Sequence, residues 1–160
     1  VGADAASGEG FTVKLAHESG LTLGGGAEST GNTDAGKGAK IATGYALYSN
    51  GGISVGYQEF YQNAAITEKG TTTRGADSEG EGYAIAYTAG DFTFSYSKTN
   101  ETTQAVGATK ALEEEEFSAV QAAYNLGGMT IAASMYEADN LDGVAAAKYE
   151  ETELSVSFAF

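Results

Sequence analysis

The segment Thr152–Phe160 reads T-E-L-S-V-S-F-A-F, and every second residue in it is apolar. Successive side chains of a β-strand point to opposite sides, so Leu154, Val156, Phe158 and Phe160 share one face. A barrel strand in lipid presents such a row to acyl chains, whereas a soluble protein seldom leaves it bare. The segment therefore predicts an all-β fold, an antiparallel transmembrane β-barrel.

The composition of the 160 residues agrees with a strand-rich chain. There are 23 glycines, 10 tyrosines and 7 phenylalanines, and there is no cysteine, tryptophan or proline. Disulfides and cysteine chemistry are therefore excluded. The formal charge of −14, with eight basic residues, disfavours nucleic acid, which needs clustered lysine or arginine. Cations or small polar solutes are the better-matched partners.

No apolar run reaches the roughly 20 residues of a membrane-spanning helix, and the first ten residues lack the parts of a signal peptide. Low hydropathy does not count against a membrane here, because a barrel strand alternates apolar with lumen residues. We expect a single domain over residues 1–160, with residues 1–10 as a leading loop.

Period-two alternation between turn residues predicts nine strands, most of them close to the length that crosses a bilayer. The predicted strands are Phe11 to His17, Leu21 to Thr30, Ala39 to Ser49, Ile53 to Asn63, Gly82 to Ala89, Phe92 to Glu101, Phe117 to Leu126, Met129 to Tyr136 and Thr152 to Phe160.

The links between these strands alternate between short and long. The short links are Ser19-Gly20, Asn50 to Gly52, Gly90-Asp91 and Gly127-Gly128, and the long ones are Gly31 to Gly38, Ala64 to Glu81, Thr102 to Glu116 and Glu137 to Glu151. Bacterial barrels place short turns on the periplasmic side and long loops outside. The pattern predicts a bacterial outer-membrane location with the C-terminus on the periplasmic side.

An odd number of strands cannot form the usual even barrel. An open sheet of nine strands would leave unpaired backbone groups in hydrocarbon, at several kcal/mol each. We therefore expect the chain to be the C-terminal portion of a larger barrel, completed by N-terminal strands outside it. A further strand near Thr67 to Arg74 is the alternative explanation.

One face of the predicted strands is rich in aromatic residues, which favour the two membrane interfaces of a barrel. The predicted membrane-facing aromatic residues are Tyr87, Phe92, Tyr124, Phe158 and Phe160 towards the short turns, Tyr57, Tyr83 and Tyr96 towards the long loops, and Phe94 on the same face. Glu59 and Lys98 share this parity, so we expect them above the hydrocarbon or beyond a bulge.

The opposite face is small or polar and suits a solvated interior. The predicted pore-lining residues are Lys14, Glu28, Lys40, Gln58, Thr93, Ser95, Gln121, Thr130 and Ser134. Their side chains would keep a channel wet and bias ions by charge. Glu28 and Lys40 could instead lie at the end of the barrel near the loops and contact water only.

The hairpin Phe117 to Asn140, with its Y-x-L-G-G turn at Tyr124 to Gly128, and the strand Glu153 to Phe160 resemble the last three strands of Gram-negative general porins, especially alphaproteobacterial ones. The resemblance implies a homotrimer of 16-stranded barrels among outer-membrane lipid and lipopolysaccharide. Each barrel would pass small hydrophilic solutes by diffusion. This chain would supply roughly strands 8 to 16, and the constriction loop would lie outside it.

Acidic residues gather in the predicted long loops: Glu113 to Glu116, Glu137, Asp139, Asp142, Glu150 and Glu151. They could bind Ca²⁺ or Mg²⁺ that bridges lipopolysaccharide, since these ions prefer oxygen ligands. The spacing fails the EF-hand pattern, and a simple solvated acidic loop is the alternative. No other cofactor is expected.

The sequence offers little for catalysis, and we do not expect an enzyme. His17 is the only histidine and lacks a nearby serine–aspartate pattern, and Gly24 to Gly26 is not followed by the residues of a phosphate loop. Two alternatives to a channel stay open. One is a non-conducting structural or adhesive barrel, and the other is a soluble β-sandwich binding module.

Overall fold

Nine strands of one antiparallel sheet make up almost all of the computed structural model, which describes residues 8–30, 39–63, 76–105 and 112–159. Each strand pairs with its neighbours in the sequence, so the sheet is a simple meander from β1 to β9. The strands are β1 Gly8–Ala16, β2 Leu21–Thr30, β3 Lys40–Asn50, β4 Ile53–Asn63, β5 Ala76–Ala89, β6 Phe92–Ala105, β7 Glu115–Asn125, β8 Met129–Asp139 and β9 Lys148–Phe158. The all-β prediction and the nine antiparallel strands are confirmed for these residues.

Several strands extend further towards the long loops than the sequence predicts. β5 begins at Ala76 instead of Gly82, although the added residues include Asp77, Glu79 and Gly80, which are poor strand formers. From Ser78 onwards this segment pairs with β4 on one side and with β6 on the other, and Ala76 and Asp77 pair with β6. Two ladders of backbone hydrogen bonds therefore outweigh its weak intrinsic propensity.

The other ends also lengthen through backbone pairing, in β1, β6 and β9 with one neighbour only. β6 continues to Ala105, β8 reaches Asp139, and β9 starts at Lys148. β1 starts at Gly8, inside the stretch predicted as a leading loop. The alternative strand near Thr67 to Arg74 lies outside the described residues.

The sheet is one layer thick and has no core. Ala138, at 5% exposure, is the one apolar residue that is buried in the described part of the chain. The accessible surface is 10964 Å², whereas a compact monomer of this mass would expose about 7,500 Å². Backbone hydrogen bonds therefore hold the sheet together, and both of its faces stay open to a surrounding medium.

The two outer strands are paired on one side only. β1 bonds to β2 and β9 bonds to β8, so each has one edge without a described partner. With an odd number of antiparallel strands, β1 and β9 run in the same direction. Both run from the side of the long links, the loop side, to the side of the short links, the turn side.

Glycines with positive φ form the turns on the turn side, as their spacing predicts. Gly51 has φ 58° and faces open space, whereas Gly52 has φ 84° and lies against the backbone of Thr88. The amide of Thr88 donates a hydrogen bond of 2.8 Å to the carbonyl of Gly52. This contact ties the β3–β4 turn to β5.

We expect Gly52→Ala to destabilise the folded sheet by about 2–3 kcal/mol, because alanine is strained at this φ and its Cβ would overlap the Thr88 carbonyl oxygen. Urea unfolding of the protein in detergent or lipid measures the loss. Gly51→Ala is the matched control, with an expected loss of about 1 kcal/mol. Equal losses in the two variants would contradict the close approach at Gly52.

Candidate functional site: the two faces of the sheet

The register of the strands gathers the predicted aromatic residues on one face, which we call the apolar face. Tyr57 pairs with Tyr83, and Tyr87 pairs with Phe94. The same face carries the pairs Ile85–Tyr96, Phe92–Tyr124 and Met129–Phe158. All eight described aromatic residues of the predicted set lie on this face, and Phe160 lies outside the described residues.

Large apolar side chains on this face are exposed to an unusual degree for a folded chain. Leu154 is 72% exposed, Phe158 60% and Ile131 37%. The exposed apolar residues continue from Phe11 and Val13 in β1 to β9 without a break in the sheet. A contiguous patch of this kind marks a surface that another medium or molecule covers.

Each strand that runs towards the turn side has a last large apolar residue on the apolar face. Leu15, Tyr48, Tyr87, Tyr124 and Phe158 occupy this position in β1, β3, β5, β7 and β9. We call these five residues the rim. Tyr48 was not among the predicted aromatic residues, although the same two-residue periodicity places it on this face.

The rim does not follow one row of paired residues. It shifts by the same number of residues at every strand, and we call this shift the slope of the rim. The row that starts at Leu15 passes from partner to partner through Tyr83 and reaches Glu150 in β9. The rim residue of β9, Phe158, lies eight residues beyond Glu150 towards the turn side. Since β9 is eight strands away from β1, the rim moves one residue towards the turn side at each strand. Tyr48, Tyr87 and Tyr124 fall on the same slope of one residue per strand.

This slope has a geometric meaning. A strand rises about 3.3 Å per residue, and neighbouring strands lie about 4.8 Å apart. If the rim lies in one plane, a drop of one residue per strand therefore inclines the strands by about 35° from the normal of that plane.

Charged residues of the apolar face keep to the loop side. We call the line that joins the rim residues the rim line. On the apolar face, the described charges nearest to this line are Glu59 and Lys98, and each lies five residues from it towards the loop side. The ladder through both residues is unbroken, so they lie above the apolar rows and no bulge moves them. Lys98 pairs with Glu116 at 2.8 Å.

Tyrosine marks the boundary between the apolar rows and these charges. The Tyr57 hydroxyl lies 2.8 Å from a carboxylate oxygen of Glu59 and 2.8 Å from one of Glu81. Tyr83 and Tyr96 stand beside it, with ring centroids 6.5 Å apart. The phenol rings therefore contact the apolar rows while the hydroxyl of Tyr57 reaches the charged row.

The opposite face, which we call the polar face, carries most of the predicted pore-lining residues. Ser95 pairs with Gln121, which pairs with Ser134. The other residues of that prediction found here are Lys14, Glu28, Gln58, Thr93 and Thr130. Lys14 stands low on the wall near the rim level, and Glu28 stands near the loop side.

Lys40 is the exception, and its predicted face is wrong. It pairs with Ser29 and Asn63, which places it at the loop end of the apolar face. Side chains alternate with period two, so Lys40 shares the parity of Ala42 and Tyr48.

Hydrogen bonds across the polar face hold its amides in place. The Gln58 Nε2 donates to Thr43 Oγ1 at 2.9 Å. The Gln121 Nε2 donates to the Tyr136 hydroxyl at 3.0 Å. These bonds join polar side chains of neighbouring strands on this face.

Two of the aromatic residues on the polar face, neither of them in the predicted set, lie over glycines of the neighbouring strand. The ring of Tyr45 lies over Gly24, and the ring of Phe60 lies over Gly80, so closely that a Cβ on either glycine would overlap the ring. Each ring covers the glycine with which its residue is paired on the neighbouring strand. A glycine opposite an aromatic residue was the available signal, but recognising it needs the register.

The acidic loop residues are partly engaged with neighbouring side chains. Asp139 pairs with Lys148 at 2.6 Å, and Glu151 accepts a 2.5 Å hydrogen bond from Tyr149. Within the described ranges, no three His, Cys, Asp or Glu side chains come together as metal ligands. Binding of Ca²⁺ or Mg²⁺ therefore stays a prediction.

His17 lies in the turn after β1, where its Nδ1 is 2.9 Å from the Ser19 hydroxyl.

In the part of the chain that the structure describes, no helix is long and apolar enough to span a membrane. No family model, curated protein or solved structure matches this chain.

The two faces predict opposite reactivity for adjacent positions, and the absence of cysteine from the chain makes single-cysteine variants clean. In lipid, we expect Ser95→Cys to react with a charged, water-soluble thiol reagent and Phe94→Cys to be protected, because the two side chains point to opposite faces. Mass spectrometry gives the labelled fraction. Similar labelling of both variants would contradict the assignment of the faces, and detergent-denatured samples serve as the control for full reactivity.

Proposed function

We propose that this chain forms part of the wall of a bacterial outer-membrane channel for passive diffusion of ions and small hydrophilic solutes. In this proposal the apolar face contacts lipid and the polar face lines a water-filled interior. The turn side faces the periplasm, and the long links face outwards. The surroundings are outer-membrane lipid and lipopolysaccharide.

The observation that carries the proposal is the constant slope of the rim. Transmembrane barrels hold their strands at about 35–45° to the membrane normal, and the slope of the rim corresponds to about 35°. If tilted strands cross a flat lipid boundary, the last large apolar residue has to shift by about one residue from strand to strand, as the rim does. A sheet in bulk water has no flat boundary that would require such a shift.

The contents of the polar face support a wet interior. Hydroxyl, amide and small side chains predominate around Ser95, Gln121 and Ser134. Carboxylates of Glu101, Glu115 and Glu153 face the same side on the upper part of the wall. Lys14 is the one described cation on this face, so the channel should favour cations over anions.

The size of the barrel follows from the strand spacing. Nine strands at this tilt would close to about 17 Å between backbones, a width that interior side chains nearly fill. Sixteen strands would give about 30 Å and leave room for water. The proposed complete channel therefore contains further strands beyond β1 and β9, and the porin resemblance suggests a homotrimer of such barrels.

The apolar band sets a demand on the surrounding lipid. From the rim line to Glu59 and Lys98 the height is about 14 Å, and to Glu116 in β7 and Glu150 in β9 it is about 22 Å, whereas outer-membrane barrels present an apolar band of about 25 Å. We infer that the bilayer thins beside this wall. The long side chain of Lys98 and the hydroxyl end of Tyr57 can reach towards head groups and cover part of the difference.

The described residues do not favour a soluble β-sandwich, which needs two sheets packed face to face. They form a single sheet with both faces open. A non-conducting surface barrel would share the same outer face, so the contents of the interior are what a functional test has to probe.

We expect the assembled protein to give stepwise ion conductance in a planar lipid bilayer, with a reversal potential in a KCl gradient that shows preference for K⁺. Glu153→Gln should reduce the K⁺ to Cl⁻ permeability ratio by about twofold, because it removes a carboxylate from the interior. The effect should shrink in 1 M salt, where screening acts within about 3 Å.

Glu150→Gln is the matched control, since Glu150 lies on the same strand but on the apolar face. It should leave the permeability ratio unchanged. Absence of conductance from well-folded, inserted protein would refute the channel. An equal response of the Glu150 and Glu153 variants would contradict the assignment of the polar face to the interior.

A further inference from the structure

Tyr45 of β3 and Phe60 of β4 lie flat against the polar face of the sheet. The Cε1, Cζ and hydroxyl oxygen atoms of Tyr45 are nearly equidistant from the point where a Cβ on Gly24 would stand, so a face of the ring covers that glycine. Phe60 covers Gly80 with its Cε1 and Cζ atoms. Both residues are partly exposed. The opposite face of each ring therefore points away from the sheet.

The two rings lean in opposite directions along the wall. Tyr45 reaches back towards β2, and Phe60 reaches forward towards β5. The two covered glycines are three strands and two residues apart, which is about 16 Å along the sheet. The pair of rings therefore spans the length of a short linear oligosaccharide.

Hydroxyl and amide groups lie between the two rings. Gln58 pairs with Tyr45, and Thr43 pairs with Phe60. The Gln58 Nε2 donates to Thr43 Oγ1 at 2.9 Å, and Thr43 Oγ1 donates to the Glu59 carbonyl at 3.0 Å. Among the described residues, no other hydrogen bond uses the Gln58 amide. Its carbonyl oxygen and its second N–H are therefore available to a solute.

Opposite charges flank the rings. Lys14 pairs with Gly24, one strand beyond the Tyr45 side chain, and Glu101 pairs with Gly80, one strand beyond that of Phe60. A small ion would be attracted at one end of this patch and repelled at the other. An uncharged polyol can accept a hydrogen bond from Lys14 and donate one to Glu101. The charges therefore favour a neutral solute that carries hydroxyl groups.

We propose that Tyr45 and Phe60 form a binding site for neutral sugars on the inner wall of the channel. The exposed face of each ring stacks on a pyranose, and Gln58 bonds to hydroxyl groups between them. The C–H groups of a pyranose face carry small positive partial charges, and the face of an aromatic ring is negative. An aromatic solute would leave the amide and the flanking charges without partners. This inference names a solute class and rests on the wet interior of the proposed channel.

Titration calorimetry of the assembled protein in detergent measures binding without a need for conduction. The probe is maltotriose, a neutral linear trisaccharide, and we expect saturable binding. Tyr45→Leu or Phe60→Leu should raise the dissociation constant about fivefold, because leucine still covers the glycine but offers no aromatic face. Tyr45→Phe keeps the ring and should keep the affinity within about twofold.

Tyr61→Leu is the matched control, since Tyr61 follows Phe60 in β4 but lies on the apolar face. It should leave the dissociation constant unchanged. In the wild-type protein, saturation of aromatic protons should transfer to the C–H protons of the bound sugar in a nuclear magnetic resonance experiment. This measurement tests the stacking even if a leucine variant does not fold.

Planar bilayers separate this inference from the proposed function. Maltotriose should reduce the K⁺ current with saturation, whereas a polyethylene glycol of equal mass obstructs by size alone and should show none. Conduction without saturable sugar binding, or without transfer from aromatic protons, would overturn the sugar site and leave the channel standing. Equal losses in the Tyr61 and Phe60 variants would also overturn it. Sugar binding by a protein that does not conduct would refute the channel and support the site.

Discussion

A sheet that is one layer thick has no interior, and this constraint governs the rest of the structure. Every backbone group has to be satisfied within the sheet, and each face has to suit the medium it meets. Here Phe94 and Ser95, adjacent in β6, stand for two faces that differ along the whole meander. Burial of side chains within the described sheet contributes little, so backbone hydrogen bonds hold it together and, in the proposed membrane, the difference between lipid and water would add to its stability.

The position of each boundary follows from this constraint. Because the rim descends one residue per strand, the turns, the apolar rows and the charged rows all step together across the sheet. Tyr57 and Tyr83 stand where apolar rows give way to Glu59 and Glu81. In the proposed membrane, the rim would lie at the inner interface, and these tyrosines would stand three to four residues above it, with their hydroxyl ends directed to the charged side.

The sequence predicts local features well. Period-two alternation predicts nine strands, glycine pairs predict the turns, and parity assigns every described aromatic residue of the predicted set to one face. These features depend on neighbouring residues only. Strand ends are harder to predict. Glu79 becomes a strand residue by pairing with β4 and β6, and Asp77 by pairing with β6, and local propensity reports neither pairing.

Features that depend on register escaped prediction. Lys40 was placed on the wrong face because its parity has to be counted from Tyr48 at the far end of its strand. The Tyr45 ring over Gly24 joins residues of two strands. The slope of the rim is a property of all eight ladders together, so no single segment contains it.

The depth of the rim tests the central claim most directly, because the chain has no tryptophan of its own. Single variants Tyr48→Trp, Tyr87→Trp, Tyr124→Trp and Phe158→Trp would be placed in vesicles with lipids brominated at defined depths, and fluorescence quenching would be measured. A rim in one lipid plane predicts strong quenching and one common depth, near an interface. Depths that spread by about 20 Å along the rows of paired residues, or no quenching at all, would contradict it.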